Sequence, residues 1–233
     1  LPNLALGFPH SHAWLQLSWA SRGVLDVHTG SGRYLAPPQR AVWIPAGIEH
    51  QVRCTQQTEI RSLYIEPSAL QQPLTHTCVI QVSPLLRELI RSFSQMPIEY
   101  DEQAAAGRLV QVLLDQLASA PHVASMLPLP TDNRLQTITN YLQQQPDDTT
   151  TLAEWATQLN VSEKTLSRLF SQQTGLTFRL WRQRLRLFSA LPLLEQEESV
   201  TDVALACGYE SVSAFISAFS QQFGCTPGEF FKQ

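Results

Sequence analysis

Charge is scarce in this 233-residue chain and neither sign dominates: 15% of residues are charged, with 16 Lys/Arg against 20 Asp/Glu and a formal net charge of −4. A global basic signature for nucleic-acid binding is therefore missing. The four cysteines (Cys54, Cys78, Cys207, Cys225) are scattered and form no CxxC pair. That spacing argues against a disulfide framework or a thiolate metal site and for reduced thiols in a cytoplasmic protein. No apolar run approaches the roughly 20 residues needed to span a bilayer, so no membrane partner is expected. No signal-peptide pattern is visible; the chain starts at Leu1, without Met, and its true N-terminus is left open. What is present is a hydrophobic fraction of 43%, enough for a proper core, and length for two ordinary domains.

One segment occurs twice near the C-terminus, about fifty residues apart. The first copy runs from Leu152 to Thr177 and the second from Val200 to Thr226. Their ends, SQQTGLT and SQQFGCT, differ at two positions, and Trp155-Ala156 matches Val203-Ala204. Each copy reads as helix, short turn, helix, the pattern that presents a second helix to the DNA major groove. Two such units can address successive major-groove turns on one face of double-stranded DNA. From residue 132 onward there are eight Lys/Arg against eleven Asp/Glu, so positive charge is local. Arg179, Arg182, Arg184 and Arg186 fall within eight residues, and Lys164 and Arg168 sit on the second helix of the first copy. Screening confines charge effects to about 10 Å at moderate salt, so local placement outweighs the sum.

The spacing predicts helices at 132–144, 151–159, 162–173, 178–195, 200–206, 211–223 and 227–232, with Ser162, Ser199 and Ser211 among the N-caps and Gly175 and Gly224 as stops. Pro192 is expected to kink or shorten the long connecting helix. In the first unit Leu166, Leu169 and Phe170 face inward, leaving Glu163, Lys164, Ser167, Arg168 and Ser171 outside. In the second, Ala214, Phe215, Ala218 and Phe219 face inward, and the outer face of Val212, Ser213, Ile216, Ser217 and Ser220 carries no charge. Val212 and Ile216 are assigned to thymine methyls or sugar edges, and the serines and helix N-terminus to phosphates. The residues expected at DNA are Ser162, Lys164, Thr165, Ser167, Arg168, Arg182, Ser211, Val212, Ser213, Ile216 and Ser217.

Residues 1–80 read as β-rich, with strands near Leu15–Trp19, Val24–His28, Ala41–Ile44 and Ile60–Ile65 between Gly- and Pro-containing turns, as in a small sandwich or barrel. Helices are predicted at 83–96 and 102–119. On the second, Leu109, Leu113 and Leu117 form an apolar stripe that serves either a homodimer interface or packing on the barrel. Residues 121–131 are Pro-rich without periodicity and read as a linker between domains 1–120 and 132–233.

The run Ser199-Val200-Thr201-Asp202-Val203-Ala204, then Gly208-Tyr209-Glu210-Ser211, Phe215, Phe219, Phe223-Gly224 and Thr226-Pro227 closely resembles the signature of the DNA-binding domain of AraC/XylS transcriptional regulators. The resemblance covers residues 132–233. It implies seven helices in two helix-turn-helix subdomains (151–173 and 200–223) joined by a helix at 178–195. RNA polymerase is a candidate partner, for which the sequence identifies no contact patch. Lys164, Ser167 and Arg168 match positions that read bases in the family. The family usually carries Arg where this chain has Ser217 and a basic residue where it has Ser220, which weakens phosphate anchoring by the second unit.

In the N-terminal half, His10, His12, Gln16 and Gly23 read HxHxxxQxxxxxxG, and Pro45, Gly47 and His50 read PxGxxH. The even spacing of His10, His12 and Gln16 puts all three on one side of a strand, and His50 closes the set. Three imidazoles and an amide oxygen suit a divalent metal such as zinc, nickel or iron with positions left open. The two segments resemble the paired motifs of cupin barrels; Cys54 stands near the usual downstream polar position, and Gln39 replaces the glycine before the second motif. In AraC-type sensors that keep the barrel without a metal, such histidines line a small-molecule pocket. Trp14 and Trp43 are candidates for the effector-pocket wall, alongside a core role for both. His28, His76 and His122 fit no such pattern and read as ordinary surface or loop residues.

The expected architecture is a two-domain α+β chain, a cupin-like β-barrel with helices followed by an all-α DNA-binding domain. The expected function is a cytoplasmic, dimeric, ligand- or metal-responsive transcriptional regulator, not an enzyme. One competitor is a metal-dependent cupin enzyme fused to a DNA-binding domain, for which Glu49 is the nearest acid–base candidate. Another is a constitutive DNA-binding protein whose barrel only dimerises.

Overall fold

The computed structural model describes residues 7–54 and 58–231. The chain divides into two compact units: one runs through Thr29 and from Tyr34 to Met126, the other holds Gly30–Arg33 and Leu127 onward. In chain order up to Pro128 come strands β1 (Leu15–Arg22), β2 (Leu25–Thr29), β3 (Gly32–Ala36), β4 (Arg40–Ile44), β5 (His50–Cys54), β6 (Glu59–Ile65) and β7 (Cys78–Gln81), helices α1 (Pro84–Phe93) and α2 (Ala105–Ser119), and the short strands β8 (His122–Val123) and β9 (Met126–Pro128). They form a five-stranded sheet in the order β6-β1-β4-β7-β8 and a four-stranded sheet in the order β5-β2-β3-β9.

The five-stranded sheet is covered on both faces, which is why β1 opens with six buried residues in succession. Leu15, Leu17, Trp19, Trp43 and Ile80 face one way and pack with Leu86 and Ile90 of α1 and Leu113 and Leu117 of α2. Residues of opposite parity, Ala20, Val42, Ile44 and Val79, pack with Leu25, Val27, Tyr34 and Val52 of the second sheet. The interior of the double sheet therefore lies on the Gln16–Ser18–Ala20 side of β1.

Three expectations change here. Leu113 and Leu117 are 3% and 4% exposed and pack on their own sheet, so these two are not available to an interface; Leu109 is half-buried. Trp43 packs on the helix-facing side of the sheet and donates its indole N–H to Leu74 O, while Trp14 is exposed, so the two do not line one pocket. The segment 121–131 is not an irregular linker throughout. It carries β8 and β9, and Ser125 is fixed by its N–H to Val123 O and by its hydroxyl to Leu35 O.

The second unit contains α3 (Asn133–Gln144), α4 (Leu152–Gln158), α5 (Glu163–Thr174), α6 (Phe178–Glu195), α7 (Val200–Ala206), α8 (Val212–Phe223) and α9 (Pro227–Phe230). Six helix starts are capped: Asp132, Thr151, Ser162, Ser199 and Ser211, as expected, and Thr177, which was not singled out, each accept a hydrogen bond from a first-turn N–H. Gly175 and Gly224 end α5 and α8 in the left-handed conformation that favours glycine. Helix α6 runs through Pro192 and ends three residues later at Glu195. The core is aromatic: Phe170 meets Phe178 and Trp181, and Phe219 meets Phe215, Phe223 and Phe230. No helix among the described residues is long and apolar enough to cross a membrane.

Candidate metal centre and candidate nucleic-acid interface

His10, His12, Gln16 and His50 converge, by a route other than a single strand. β1 begins only at Leu15, so the two leading histidines lie outside it. They are held against the Pro45–His50 turn by backbone bonds: His10 and His50 exchange N–H to carbonyl bonds of 3.0 and 2.9 Å, and Gly47 N–H donates to His12 O at 2.8 Å. Gly47 supports that turn at φ +76°, where a side chain would be strained. The imidazole nitrogens of the three histidines come within 4.8 Å of one another.

The hydrogen bonds around this cluster fix its chemistry. Each Nδ1 faces a backbone carbonyl: His10 meets Phe8 O at 3.0 Å, His12 meets Trp14 O at 2.9 Å and His50 meets Ile48 O at 2.9 Å. A carbonyl only accepts, so each Nδ1 carries the hydrogen and each Nε2 keeps its lone pair. Gln16 Nε2 donates to Ser18 Oγ at 2.7 Å, which turns Gln16 Oε1 towards the histidines. His12 Nε2 and His50 Nε2 then lie 2.6 and 3.1 Å from Gln16 Oε1. With these tautomers, His12 Nε2, His50 Nε2 and Gln16 Oε1 make a converging set of electron-pair donors that a cation can occupy. A proton is a poor choice at His50. Burial, chiefly, and the neighbouring His10 and His12 hold its pKa below the ordinary value, against the opposing pull of the Ile48 carbonyl. A metal ion suits the donor set, with the carbonyl-anchored Nδ1–H groups as its outer support.

Ser18 and Ser62, which orient Gln16, and Tyr64, whose ring lies 5.4 Å from His12, were not singled out from the sequence. Register explains them: Gln16 pairs with Tyr64 and Ser18 with Ser62 across β1 and β6. His76 and His122, read as ordinary surface residues, instead form a second cluster with Cys78. His28 pairs with Asp26 at 3.0 Å.

In the helical unit the two copies share the same turn hydrogen bonds and backbone conformation. Asn160 and Gly208 occupy the same place in the two turns, both at positive φ (52° and 75°). Val161 N–H reaches back to Ala156 O, and Tyr209 N–H to Ala204 O. Both alanines are buried where α4 and α7 meet their partners. On α5, Lys164, Ser167 and Arg168 are exposed and Thr165 is half-buried, with Ser162 Oγ bonded to the Thr165 N–H and hydroxyl. On α8, Ser213 and Ser217 are exposed and Val212 and Ile216 half-buried; Ser211 caps the helix. Ala214, expected inward, is exposed instead. It borders a groove of about 610 Å³ at the N-terminus of α8, together with Thr149, Arg182, Arg186, Tyr209 and Ser211.

The arginine run on α6 is not a free basic patch. Arg182 is half-buried and donates to Thr150 O at 2.8 Å, which ties this expected DNA contact to the entry of the first helix-turn-helix. Arg186 donates to Pro146 O, Asp148 O and Gly208 O at 2.8 to 2.9 Å, and to Asp147 O at 3.3 Å. It thereby joins the segment before α4 to the turn before α8. Gly208 accommodates this clamp: a Cβ there would meet Asp147 Cα at 2.7 Å and the Arg186 guanidinium at 2.8 Å.

Two family patterns match the chain: an AraC-like ligand binding domain over residues 5–119 and a helix-turn-helix domain over residues 155–233. The HTH-type transcriptional regulator NimR of Escherichia coli (strain K12) is 37% identical over 221 residues, covering 95% of this chain and 81% of that protein. The HTH-type transcriptional activator RhaR of Mannheimia succiniciproducens is 34% identical over 99 residues, covering 42% of this chain and 36% of that protein. Among solved structures, ToxT of Vibrio cholerae with bound unsaturated fatty acid aligns at 14% identity and a TM-score of 0.42, over 96% of this chain and 88% of that one.

Proposed function

The chain belongs to the AraC/XylS family of transcriptional regulators, with an N-terminal ligand-binding domain and a C-terminal helix-turn-helix DNA-binding domain, and from this premise we propose how each half works. The exposed face of α5 reads bases through Lys164, Ser167 and Arg168. An outward Arg or Lys suits guanine O6/N7 or phosphate, and Ser suits either base or backbone. The uncharged face of α8 contributes through Val212, Ser213, Ile216 and Ser217, with Ser162 and Ser211 at the two helix starts beside phosphates. Arg182 and Arg186 position rather than read.

In the sensor half, we assign His10, His12, Gln16 and His50 to a divalent metal, zinc, nickel or iron. The carrying observation is the convergence of His12 Nε2 and His50 Nε2 on Gln16 Oε1 with every Nδ1–H already donated to a carbonyl. Such an ion supplies a charge and open positions to which a small-molecule effector can bind. The chain's own residues hold the imidazoles in one tautomer and turn the Gln16 amide. Ligand occupancy acts by changing the free-energy difference between DNA-competent and incompetent arrangements. The reading carries no catalytic role. The polar lining by Gln16, Ser18 and His50 also sets it apart from a purely structural barrel. A homodimer and contact with RNA polymerase belong to the same proposal, by family membership; the dimer surface then excludes the buried Leu113 and Leu117.

The test has two arms. Elemental mass spectrometry on untagged protein is expected to find near-stoichiometric metal, lost in His10→Ala/His12→Ala; no metal even after loading with zinc, nickel or iron overturns the assignment. Selection of bound duplexes from a random library is expected to yield one motif, with Arg168→Ala relaxing a single base position at a cost of about 1–3 kcal/mol. An unchanged motif and affinity in that variant removes Arg168 from the reading set.

A further inference from the structure

His76, Cys78 and His122 are 46 residues apart at the extremes, and no motif joins them. The fold does. His76 and Cys78 are two residues apart, the first just before β7 and the second at its start. His122 stands opposite Ile80 on the neighbouring strand β8, with Val79 opposite Val123. Residues opposite each other in an antiparallel pair share a face, and alternate residues of one strand do too. Cys78, Ile80 and His122 therefore project to one side, the side of α1 and α2. That is the opposite face of the sheet from Gln16. One ligand atom from each of the three residues lies within 4.8 Å of the other two. The two imidazole rings are 6.2 Å apart, centre to centre. Both histidines are exposed and Cys78 is half-buried at the rim of the core.

We propose that His76, Cys78 and His122 form a second metal site, distinct from the histidine–glutamine cluster and selective for a soft or borderline ion, Zn²⁺ or Cu⁺. A thiolate with two imidazoles is a donor set for those ions and a poor one for Mg²⁺ or Ca²⁺. Bond lengths of about 2.3 Å to sulfur and about 2.1 Å to nitrogen put tetrahedral ligand atoms roughly 3.5 Å apart. Closing from 4.8 Å asks for small rotations of two exposed imidazoles. Three protein ligands leave a fourth position for water or a small anion. Occupancy also fastens β8, a strand of two residues, to β7, and so orders the chain as it leaves the sheet.

The test uses the full chain in the His10→Ala/His12→Ala background, so that failure of the first site cannot mimic the result. Co²⁺ titration is expected to show one equivalent bound with a near-ultraviolet thiolate-to-cobalt charge-transfer band. That band disappears in Cys78→Ser. His76→Ala/His122→Ala, which changes only exposed side chains, is expected to weaken Zn²⁺ by more than roughly 100-fold in chelator competition, since loss of outer-shell support alone costs about 10–100-fold. Parallel competition with Zn²⁺ and Cu⁺ indicators identifies the preferred ion. A charge-transfer band that survives Cys78→Ser, or Zn²⁺ and Cu⁺ affinities unchanged by the double histidine variant, overturns the proposal. So does the absence of any binding in a folded chain, judged by its circular dichroism.

Discussion

Arg186→Ala is the most informative single perturbation of the DNA-binding half. The side chain carries four hydrogen bonds to carbonyls, from Pro146, Asp147, Asp148 and Gly208. Hydrogen bonds from a charged donor contribute about 1.5–3 kcal/mol each. The Asp147 contact, at 3.3 Å and exposed, adds little. Three bonds at the lower limit sum to roughly 4.5 kcal/mol. The site is half-buried, so water re-satisfies part of what the freed carbonyls lose; a net cost of about 2–3 kcal/mol follows. For a unit of about 100 residues this lowers the melting temperature by roughly 10–20 °C. Far-ultraviolet circular dichroism follows the melt, and hydrogen-exchange mass spectrometry localises it to 146–150 and 208–211. Arg186→Lys keeps the charge but not the fork and is expected to fall between. Arg179→Ala, an exposed neighbour on the same helix, is expected to change neither reading. A melt within about 2 °C of wild type and unchanged exchange at both segments would falsify the clamp.

Three further outcomes are expected. Leu113→Asp places a carboxylate in the core between α2 and the sheet; the hydrophobic loss alone is about 2–5 kcal/mol, so sedimentation should find unfolded or aggregated sensor rather than a folded monomer. In Gly107→Ala the new Cβ would lie 1.8 Å from Glu102 O, so the backbone before α2 must shift, and denaturant titration should show a loss of about 1–3 kcal/mol. Asp132 is held at about pH 2 by its hydrogen bond from Arg134. Its pairing is complete above the ordinary pH of about 3.8 and is lost as pH falls through about 2. Asp132→Asn keeps the cap but removes this pH dependence, and an acid melt with the wild-type slope would refute it.

The helical half was legible almost residue by residue. Caps and glycine stops are local signals, and the repeat fixed the turns twice over. Pattern misled where a side chain's partner was distant. The spacing of Leu113 and Leu117 marks an apolar stripe on α2 but not which surface covers it. Arg182 and Arg186 look like a basic patch until the carbonyls of Thr150 and Pro146 are placed beside them. β8 and β9 were hidden by Pro121, Pro128 and Pro130 and by their length of two and three residues. The His10–His50 convergence was legible as spacing, though a backbone bridge, not one strand, delivers it. The second cluster was illegible because its ligands meet only through the β7–β8 register.

The central claim, that the histidine–glutamine cluster of the sensor controls DNA reading, is tested most directly by one titration. Fluorescence anisotropy on a duplex obtained by selection is measured for chelator-treated protein and again after loading with zinc, nickel or iron. The account predicts a change in affinity of about 5–150-fold for one of these metals, abolished in His10→Ala/His12→Ala while DNA binding itself persists. Equal affinity with and without every metal, in wild type and variant alike, would contradict it.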